Sequence, residues 1–137
     1  MIVLDTNIVL DLLLFSDPAA QPLKDALAAR QLRWIATSAM REELARVLAY
    51  PQIVPRLLYY RLSAADVLAA FDRQAELVAV APKAEMSCKD PDDQKFIDLA
   101  LAHGAQLLSK DHAVLRLKKR LLARGVLTGR ALAPASP

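Results

Sequence analysis

The sequence predicts a single α/β domain whose central, mostly parallel sheet of four to five strands is flanked by helices. Short apolar segments of strand length alternate along the chain with longer amphipathic segments of helical period. Strands that are separated by helices in this way pair in parallel, and the helices cover the sheet. The chain contains only three glycines, which argues against a turn-rich all-β fold.

The chain length and composition fit one compact domain. With 137 residues, 55% of them hydrophobic and only 5% aromatic, the chain can build a core from aliphatic side chains. We expect the domain to cover residues 1–130 and residues 131–137 to form a short tail. The lone Cys88 excludes an internal disulfide, and no apolar run is long enough to span a membrane. We therefore expect a soluble, cytoplasmic protein.

The first half of the chain contains two strands, each followed by helices. Ile2-Val3-Leu4 is apolar and in part β-branched, as a buried strand should be, and Thr6 or Asn7 can cap the helix that follows it. Thr37-Ser38 can cap the next helix in the same way, and Pro51 ends it. We predict strand 2–5, helix 8–15, helix 22–30, strand 33–36 and helix 39–49.

The second half repeats this alternation. Ser63 and Asp66 have the spacing of a capping box, Asp90-Pro91 is typical of a helix start, and Gly104 is typical of a helix end. We predict a helical stretch from Pro55, helix 64–77, strand 78–81, a polar loop 83–89, helix 91–103, strand 106–109, a basic helix 113–123 and an edge strand 126–128.

Two acids follow predicted strands. Asp5 ends the first apolar strand, and Asp111 comes shortly after strand 106–109. In a parallel sheet both would emerge at the carboxyl edge, where open α/β folds bind ligands. An exposed loop carboxylate that caps the next helix is the alternative for Asp5. We favour a site residue, because an unpaired carboxylate is costly at the end of a buried strand.

Two further acids are selected by helical periodicity. In helix 39–49 the apolar stripe places Glu43 at its edge and Glu42 almost opposite, in solvent. In helix 91–103 Asp93 lies near the centre of the apolar face, whereas Asp92 and Asp98 point elsewhere. Glu43 could instead pair with a base at a half-buried rim, and Asp93 could be a first-turn acid that stabilises the helix terminus.

If Asp5, Glu43, Asp93 and Asp111 converge, they require a cation among them. Carboxylates held close together repel one another and raise one another's pKa unless a positive charge intervenes. Oxygen ligands without clustered histidines or cysteines suit Mg²⁺ or Mn²⁺ rather than zinc. One or two such ions with an activated water would support hydrolysis of phosphodiesters.

Four segments of the sequence resemble the motifs of PIN-domain ribonucleases, in the family's order. They are Leu4-Asp5-Thr6-Asn7, Ser38 to Leu48 with Glu43, Asp90-Pro91-Asp92-Asp93-Gln94-Lys95-Phe96 running on to Gly104, and Leu107-Leu108-Ser109-Lys110-Asp111. The resemblance covers residues 1 to about 128. It is nearest to the subgroup of toxins from toxin–antitoxin pairs, the VapC-like proteins. It implies a Mg²⁺- or Mn²⁺-dependent endoribonuclease that acts on RNA, forms a homodimer and is inhibited by a small antitoxin protein.

Transferred to this chain, the resemblance assigns metal-binding and catalytic roles to the four converging acids. It assigns the orientation of those acids to a set of supporting residues, Thr6, Asn7 and Ser109, with Asp90 as a further acid whose Asp-Pro setting favours a cap.

The end of the chain is basic. Seven lysines and arginines lie between residues 110 and 130, against one acid, although the net charge of the chain is only +3. Lys110 and a helical face with Arg116, Lys119 and Arg120 could follow an RNA phosphate backbone. A solvated helix surface explains the same residues equally well.

Two other functions fit parts of the sequence. A haloacid-dehalogenase-type phosphatase also places an Asp after its first strand, but it needs a second Asp where this chain has Asn7, and it leaves Glu43 unexplained. A PIN-like module that binds nucleic acid or an antitoxin without cleaving anything would keep the fold. The presence of all four acids argues against a degenerate site of this kind.

Overall fold

The computed structural model describes residues 1–132, and these form an α/β domain around five parallel strands. The strands are short and bear out the predicted fold class: β1 Ile2–Leu4, β2 Trp34–Ala36, β3 Ala75–Leu77, β4 Gln106–Leu108 and β5 Thr128–Gly129. Residues 133–137 of the predicted tail lie outside the described residues. No helix within residues 1–132 is long and apolar enough to cross a membrane.

Eight α-helices in the described part of the chain connect and flank the strands. They are α1 Thr6–Leu13, α2 Gln21–Ala28, α3 Ser38–Leu48, α4 Val54–Tyr59, α5 Ala64–Gln74, α6 Gln94–His103, α7 His112–Leu115 and α8 Lys118–Ala123. Short 3-10 turns, Pro18–Ala20 and Pro91–Asp93, precede α2 and α6. Helix α1 packs against α2, α3 and α5, whereas α6 packs against β1 and β4.

The order of the strands creates a crevice at the carboxyl end of β1. The sheet runs β3-β2-β1-β4-β5, so the chain builds outward from β1 on one side and then returns to add β4 on the other. The backbone N–H of Asp5 donates to Leu108 O at 2.9 Å, which joins the ends of the two central strands. In open α/β sheets ligands bind at such a switch of direction, outside the carboxyl ends of the strands.

The core is aliphatic and centres on β1, whose three residues are all buried. Trp34 in β2 is buried and meets Phe71 of α5 edge-on, with ring centroids 5.1 Å apart. The apolar stripes predicted for α3 and α6 also face inward, since Met40, Leu44 and Phe96 are buried. Burial of this apolar surface stabilises the sheet that carries the polar ends of β1 and β4.

Most helix termini follow the sequence signals. Ser63 and Asp66 form the predicted capping box at the start of α5, and Gly104 ends α6 in the left-handed conformation with φ of +61°. Thr37 precedes α3, but its side chain makes no capping bond, and its buried hydroxyl finds no partner among the described residues.

Several predicted boundaries are wrong. Helix α1 begins at Thr6 with Asp5 at the N-cap position, rather than after a cap at Thr6 or Asn7. Helix α5 ends at Gln74, and the next strand is residues 75–77 rather than 78–81, because Ala75–Leu77 pair in parallel with Trp34–Ala36. The last strand is Thr128–Gly129, shifted from 126–128 by its pairing with β4. The basic helix 113–123 is two short helices, α7 and α8, and no proline or glycine marks the break between them.

Gly104→Ala should lower the free energy of unfolding by about 1 kcal/mol, because the positive φ at this helix end strains any residue with a Cβ. A Cβ at residue 104 would meet nothing within 4 Å, so the loss would be conformational rather than a clash. Chemical denaturation measures the change. Gly129→Ala is the control, since Gly129 has no positive φ and a Cβ there would only touch Ala131 O at 3.7 Å. Equal losses in the two variants would contradict this explanation.

Candidate metal centre

The site lies where the two central strands end. Asp5 directly follows β1, and Ser109 and Asp111 follow β4, so the parallel pairing of these strands places all three at one edge of the sheet. Helix α3 contributes Glu43, and the turn before α6 contributes Asp90 and Asp93. This edge is the crevice at which the strand order reverses.

Asp5 is a buried carboxylate, only 4% exposed. Its Oδ2 accepts a hydrogen bond from Ser109 Oγ at 2.6 Å. Burial raises the pKa of Asp5, the hydrogen bond from Ser109 opposes that rise, and the nearby charges of Glu43 and Asp111 add to it. The metal-free site therefore disfavours the ionised form of Asp5 and would favour a cation beside it.

Ser109 joins Asp5 to Asp111. Its fully buried hydroxyl donates to the Asp5 carboxylate and accepts from the backbone N–H of Asp111 at 3.0 Å. One side chain thus fixes both an acid from β1 and the loop that carries an acid from β4. Ser109 thus contacts both acids, and its role in orienting them stays a prediction.

Asp93 is the most perturbed acid of the site. It is 7% exposed, and its Oδ2 has no hydrogen-bond partner among the described residues. Burial raises the pKa of Asp93 to about 8, and the charges of Asp5, Asp111 and Asp90 contribute to the rise. A buried carboxylate oxygen without a donor is rare in folded proteins and calls for an explanation such as a bound ion.

Asp90, Asp93 and Asp111 form a close cluster, with one carboxylate oxygen of each lying within 4.8 Å of the others. Asp90 Oδ1 accepts from the Asp92 N–H and Asp111 Oδ1 from the Ala113 N–H, both at 2.9 Å. Each carboxylate has a second oxygen, so capping a turn and facing a cation are compatible. Asp90 therefore has both the cap role expected from its Asp-Pro setting and a position among the acids.

Glu43 lies beside this cluster but not within it. Thr6 Oγ1 donates a hydrogen bond to Glu43 Oε2, and Lys95 Nζ pairs with Glu43 Oε1 at 2.8 Å. The side chain of Glu43 is only 16% exposed, whereas Glu42 faces solvent, in agreement with the helical periodicity. The structure thus brings Glu43 next to α1, and its charge contributes to the raised pKa of Asp5.

Lys95 is the main residue of the site that sequence reasoning missed. Its ammonium group contacts Glu43 and also donates to the carbonyl oxygen of Asp92. A cation that neutralises one acid of a crowded site lowers the repulsion among the rest. The only sequence signal was its position two residues after Asp93, and helical phase does not show that it reaches back to α3.

A second missed feature holds the loop before Asp90. Asp98, expected to point away from the core, is buried, and its Oδ1 accepts from the Ala84 N–H at 2.9 Å and from the Gln94 side-chain amide at 2.8 Å. Gln94 binds two further backbone groups of the same loop. Because the loop leads directly to Asp90, this network fixes where that carboxylate can lie.

The remaining predicted residues are less closely engaged. Asn7 is exposed, and within residues 1–132 its side chain makes no hydrogen bond to an acid, so its supporting role stays a prediction. Lys110 is paired with Asp11. Arg116, Lys119 and Arg120 are exposed, but Arg116 follows the end of α7 and the other two lie in α8, so the single helical face expected for them is wrong.

The residues present fit a hard divalent cation. The cluster offers carboxylate oxygens from three acids, and the unpartnered Asp93 Oδ2 is the kind of atom that such an ion would satisfy. The charge of Glu43 raises the pKa of Asp5, and the charge of Asp5 raises that of Asp93, so these two acids could complete the coordination or orient water.

Comparison with known proteins identifies a family for this chain. A family model described as a PIN domain matches residues 1–113, which include all five acids of the site. No curated protein matches the chain.

Ser109→Ala should lower the free energy of unfolding by about 1.5–3 kcal/mol, the usual cost of removing a buried hydrogen bond to a charged group. Urea denaturation without metal measures it. Ser38→Ala is the matched control, since Ser38 is exposed at the start of α3 and should change stability by less than about 0.5 kcal/mol. A loss at Ser109 no greater than at Ser38 would contradict the bridging role.

The metal-free protein should lose stability as pH rises from about 4 to about 8. Over this range Asp93 is neutral in the folded state but ionised in the unfolded state, so the unfolded state binds fewer protons. Asp93→Asn removes this contribution and should be the more stable protein at pH 8, by about 1 kcal/mol or more. Thermal unfolding of both proteins in a chelator, at several pH values, tests this. Parallel pH profiles would contradict it.

Proposed function

The chain belongs to the PIN-domain family, whose members are generally nucleases, and from this premise we propose that it is a Mg²⁺- or Mn²⁺-dependent endoribonuclease. The observation that carries the proposal is the buried, unpartnered oxygen of Asp93 amid the carboxylates of Asp90 and Asp111. At neutral pH, buried carboxylates this close together are costly unless a positive charge offsets their negative charge, and a bound cation would supply that positive charge.

The acids divide the work by their surroundings. Asp90, Asp93 and Asp111 would hold the cation, because one carboxylate oxygen of each lies within 4.8 Å of the others. A bound Mg²⁺ or Mn²⁺ ion activates water and stabilises negative charge on a phosphodiester. Asp5, fixed by Ser109 and close enough for its charge to raise the pKa of Asp93, would orient the attacking water or accept a proton from it. Glu43 is held by Thr6 and Lys95, which supports a positioning role or a place beside a second ion.

The proposed substrate is RNA. The exposed side chains of Arg116, just after α7, and of Lys119 and Arg120 in α8 supply positive charge close in sequence to Asp111. Contacts of this kind attract phosphates irrespective of base sequence and weaken as salt is added. Binding should therefore fall steeply with ionic strength, whereas a contact confined to the metal would fall less.

We also propose, from the resemblance to VapC-like proteins, that the chain is the toxin of a toxin–antitoxin pair and works as a homodimer in the cytoplasm. A small antitoxin protein encoded immediately upstream would then bind the chain and suppress its activity. Co-expression of that upstream frame is the direct test. A neighbouring frame whose product neither binds nor inhibits would contradict the toxin role without affecting the nuclease chemistry.

Asp93→Asn should abolish Mn²⁺ binding and lower RNA cleavage by at least about 100-fold, since even the outer partners of metal ligands are worth 10–100-fold. Glu43→Gln should also impair cleavage, because it disturbs the acid that neighbours Thr6 and Lys95. Isothermal titration with MnCl₂ and a gel assay on single-stranded RNA measure the two effects.

Glu42→Gln is the matched control for this experiment. It makes the same chemical change one residue away on the exposed side of α3, so it should leave both binding and cleavage unchanged. A larger loss at Glu42 than at Glu43 would overturn the assignment. Mn²⁺ binding without cleavage of any RNA would favour a non-catalytic binding module, and release of phosphate from small phosphoesters would restore the phosphatase alternative.

A further inference from the structure

A pocket of about 240 Å³ opens beside the candidate metal centre, between α1, the turn before α2 and the chain that leaves β5. Three of its walls are aliphatic side chains of the core, Ile8, Leu23 and Leu108. Charged side chains of both signs also line it, from Asp11, Asp17, Lys110 and Arg130. The pocket thus combines an apolar interior with a few polar groups, as small-molecule sites usually do.

The pocket and the metal centre share the same strand ends. Leu108 accepts the hydrogen bond from the Asp5 N–H, and the Ile8 N–H donates to the Asp5 carbonyl oxygen, both at 2.9 Å. Lys110 is the residue between Ser109 and Asp111. The pocket residues Leu108 and Lys110 are thus sequence neighbours of Ser109 and Asp111. A ligand in the pocket would therefore lie next to the acids, on the α1 side of the sheet edge.

Asp11 is a hydrogen-bond acceptor on the lining of the pocket. Its side chain is 13% exposed, and its Oδ2 pairs with Lys110. Within residues 1–132 no side-chain or backbone donor is hydrogen-bonded to the other oxygen, Oδ1. Asp17, also on the lining, uses one oxygen to cap the turn at Ala19. Two carboxylates with uncommitted oxygens can accept hydrogen bonds from a ligand that carries N–H groups.

We propose that this pocket receives one nucleobase of the RNA, next to the phosphodiester held at the acids, and that it favours a base with an exocyclic amine. This inference rests on the proposed function. Single-stranded RNA is read through bases that are splayed out, packed against side chains and hydrogen-bonded on their edges. Carboxylates accept from the amino groups of adenine, cytosine and guanine, whereas uracil has none to offer.

The charge of the pocket favours a base over other occupants. The positive side chains of Lys110 and Arg130 are balanced by Asp11 and Asp17, so the lining is not an anion site of its own. The two cations can meet the phosphates on either side of the base while the aliphatic walls cover its ring. At about 30 Å³ per molecule the volume corresponds to about eight water molecules, which suits a single ring system and not a helix of a protein partner.

Asp11→Asn tests the proposal with little change in shape. The amide oxygen can still accept from Lys110, but the amide nitrogen is a donor, which matches a base carbonyl and repels a base amine. Asp25→Asn is the matched control, because Asp25 makes the same change on the exposed surface of α2, outside the pocket. The probes are fluorescent single-stranded oligo(A), oligo(C) and oligo(U) of equal length. Their affinities are measured by fluorescence anisotropy in buffer that contains Ca²⁺ in place of Mn²⁺.

The wild type and Asp25→Asn should bind oligo(A) and oligo(C) about tenfold more tightly than oligo(U), and Asp11→Asn should remove this preference. Sequencing of the RNA ends that each protein produces from a randomised RNA in Mn²⁺ gives a second readout. At one position next to the cleaved bond, the wild type should prefer bases with an amino group, and Asp11→Asn should show no such preference. Equal affinities for all three oligomers in the wild type, or an unchanged preference in Asp11→Asn, would overturn the proposal that the pocket binds a nucleobase. If the wild type preferred oligo(A) and oligo(C) but cleaved no RNA in Mn²⁺, the base-binding role of the pocket would stand and the nuclease function would be refuted.

Discussion

The burial of several like charges at one edge of an apolar sheet is the constraint on which the structure of the site depends. Asp5 and Asp93 are nearly inaccessible to water, and Asp90 and Asp111 lie close to them. Burial and mutual repulsion both raise the pKa of Asp93, to about 8. A site of this kind is stable only if protons, hydrogen-bond donors or cations offset its negative charge.

The chain supplies some of that compensation itself. Ser109 donates to Asp5, Thr6 and Lys95 bind the two oxygens of Glu43, and the backbone near α7 donates to Asp111. Asp93 Oδ2 has no hydrogen-bond partner within the described residues, and the hydrogen bond between the Asp93 and Asp111 side chains raises the pKa of Asp93 rather than lowering it. The chain therefore offsets the negative charge least at Asp93, within the cluster of Asp90, Asp93 and Asp111. An incoming divalent cation would find its ligands held in place, and its binding would release the protons that the metal-free site retains.

Sequence reasoning reached the fold class because its signals are local and repeated: apolar β-branched strands, helical periodicity and the caps at Ser63 and Gly104. Periodicity also separated Glu43 from Glu42, since one helix turn determines which of them faces the protein. It could not find Lys95, because the reach of a long side chain from α6 to α3 depends on how the helices pack. It named Asp90 as a further acid but favoured a cap role, because the loop before Asp90 is held by a long-range network through Gln94 and Asp98 that no local pattern shows. The break between α7 and α8 leaves no mark in the sequence.

The position of a metal ion in a crystal of the protein soaked with MnCl₂, located by its anomalous scattering, tests the proposed metal centre most sharply. We expect a Mn²⁺ ion coordinated by carboxylate oxygens of Asp90, Asp93 and Asp111, with Asp93 Oδ2 among its ligands. Asp5 should lie beside the ion, still hydrogen-bonded to Ser109. Manganese bound elsewhere, or an acid cluster that stays empty while Asp93 is protonated, would refute the proposed metal centre.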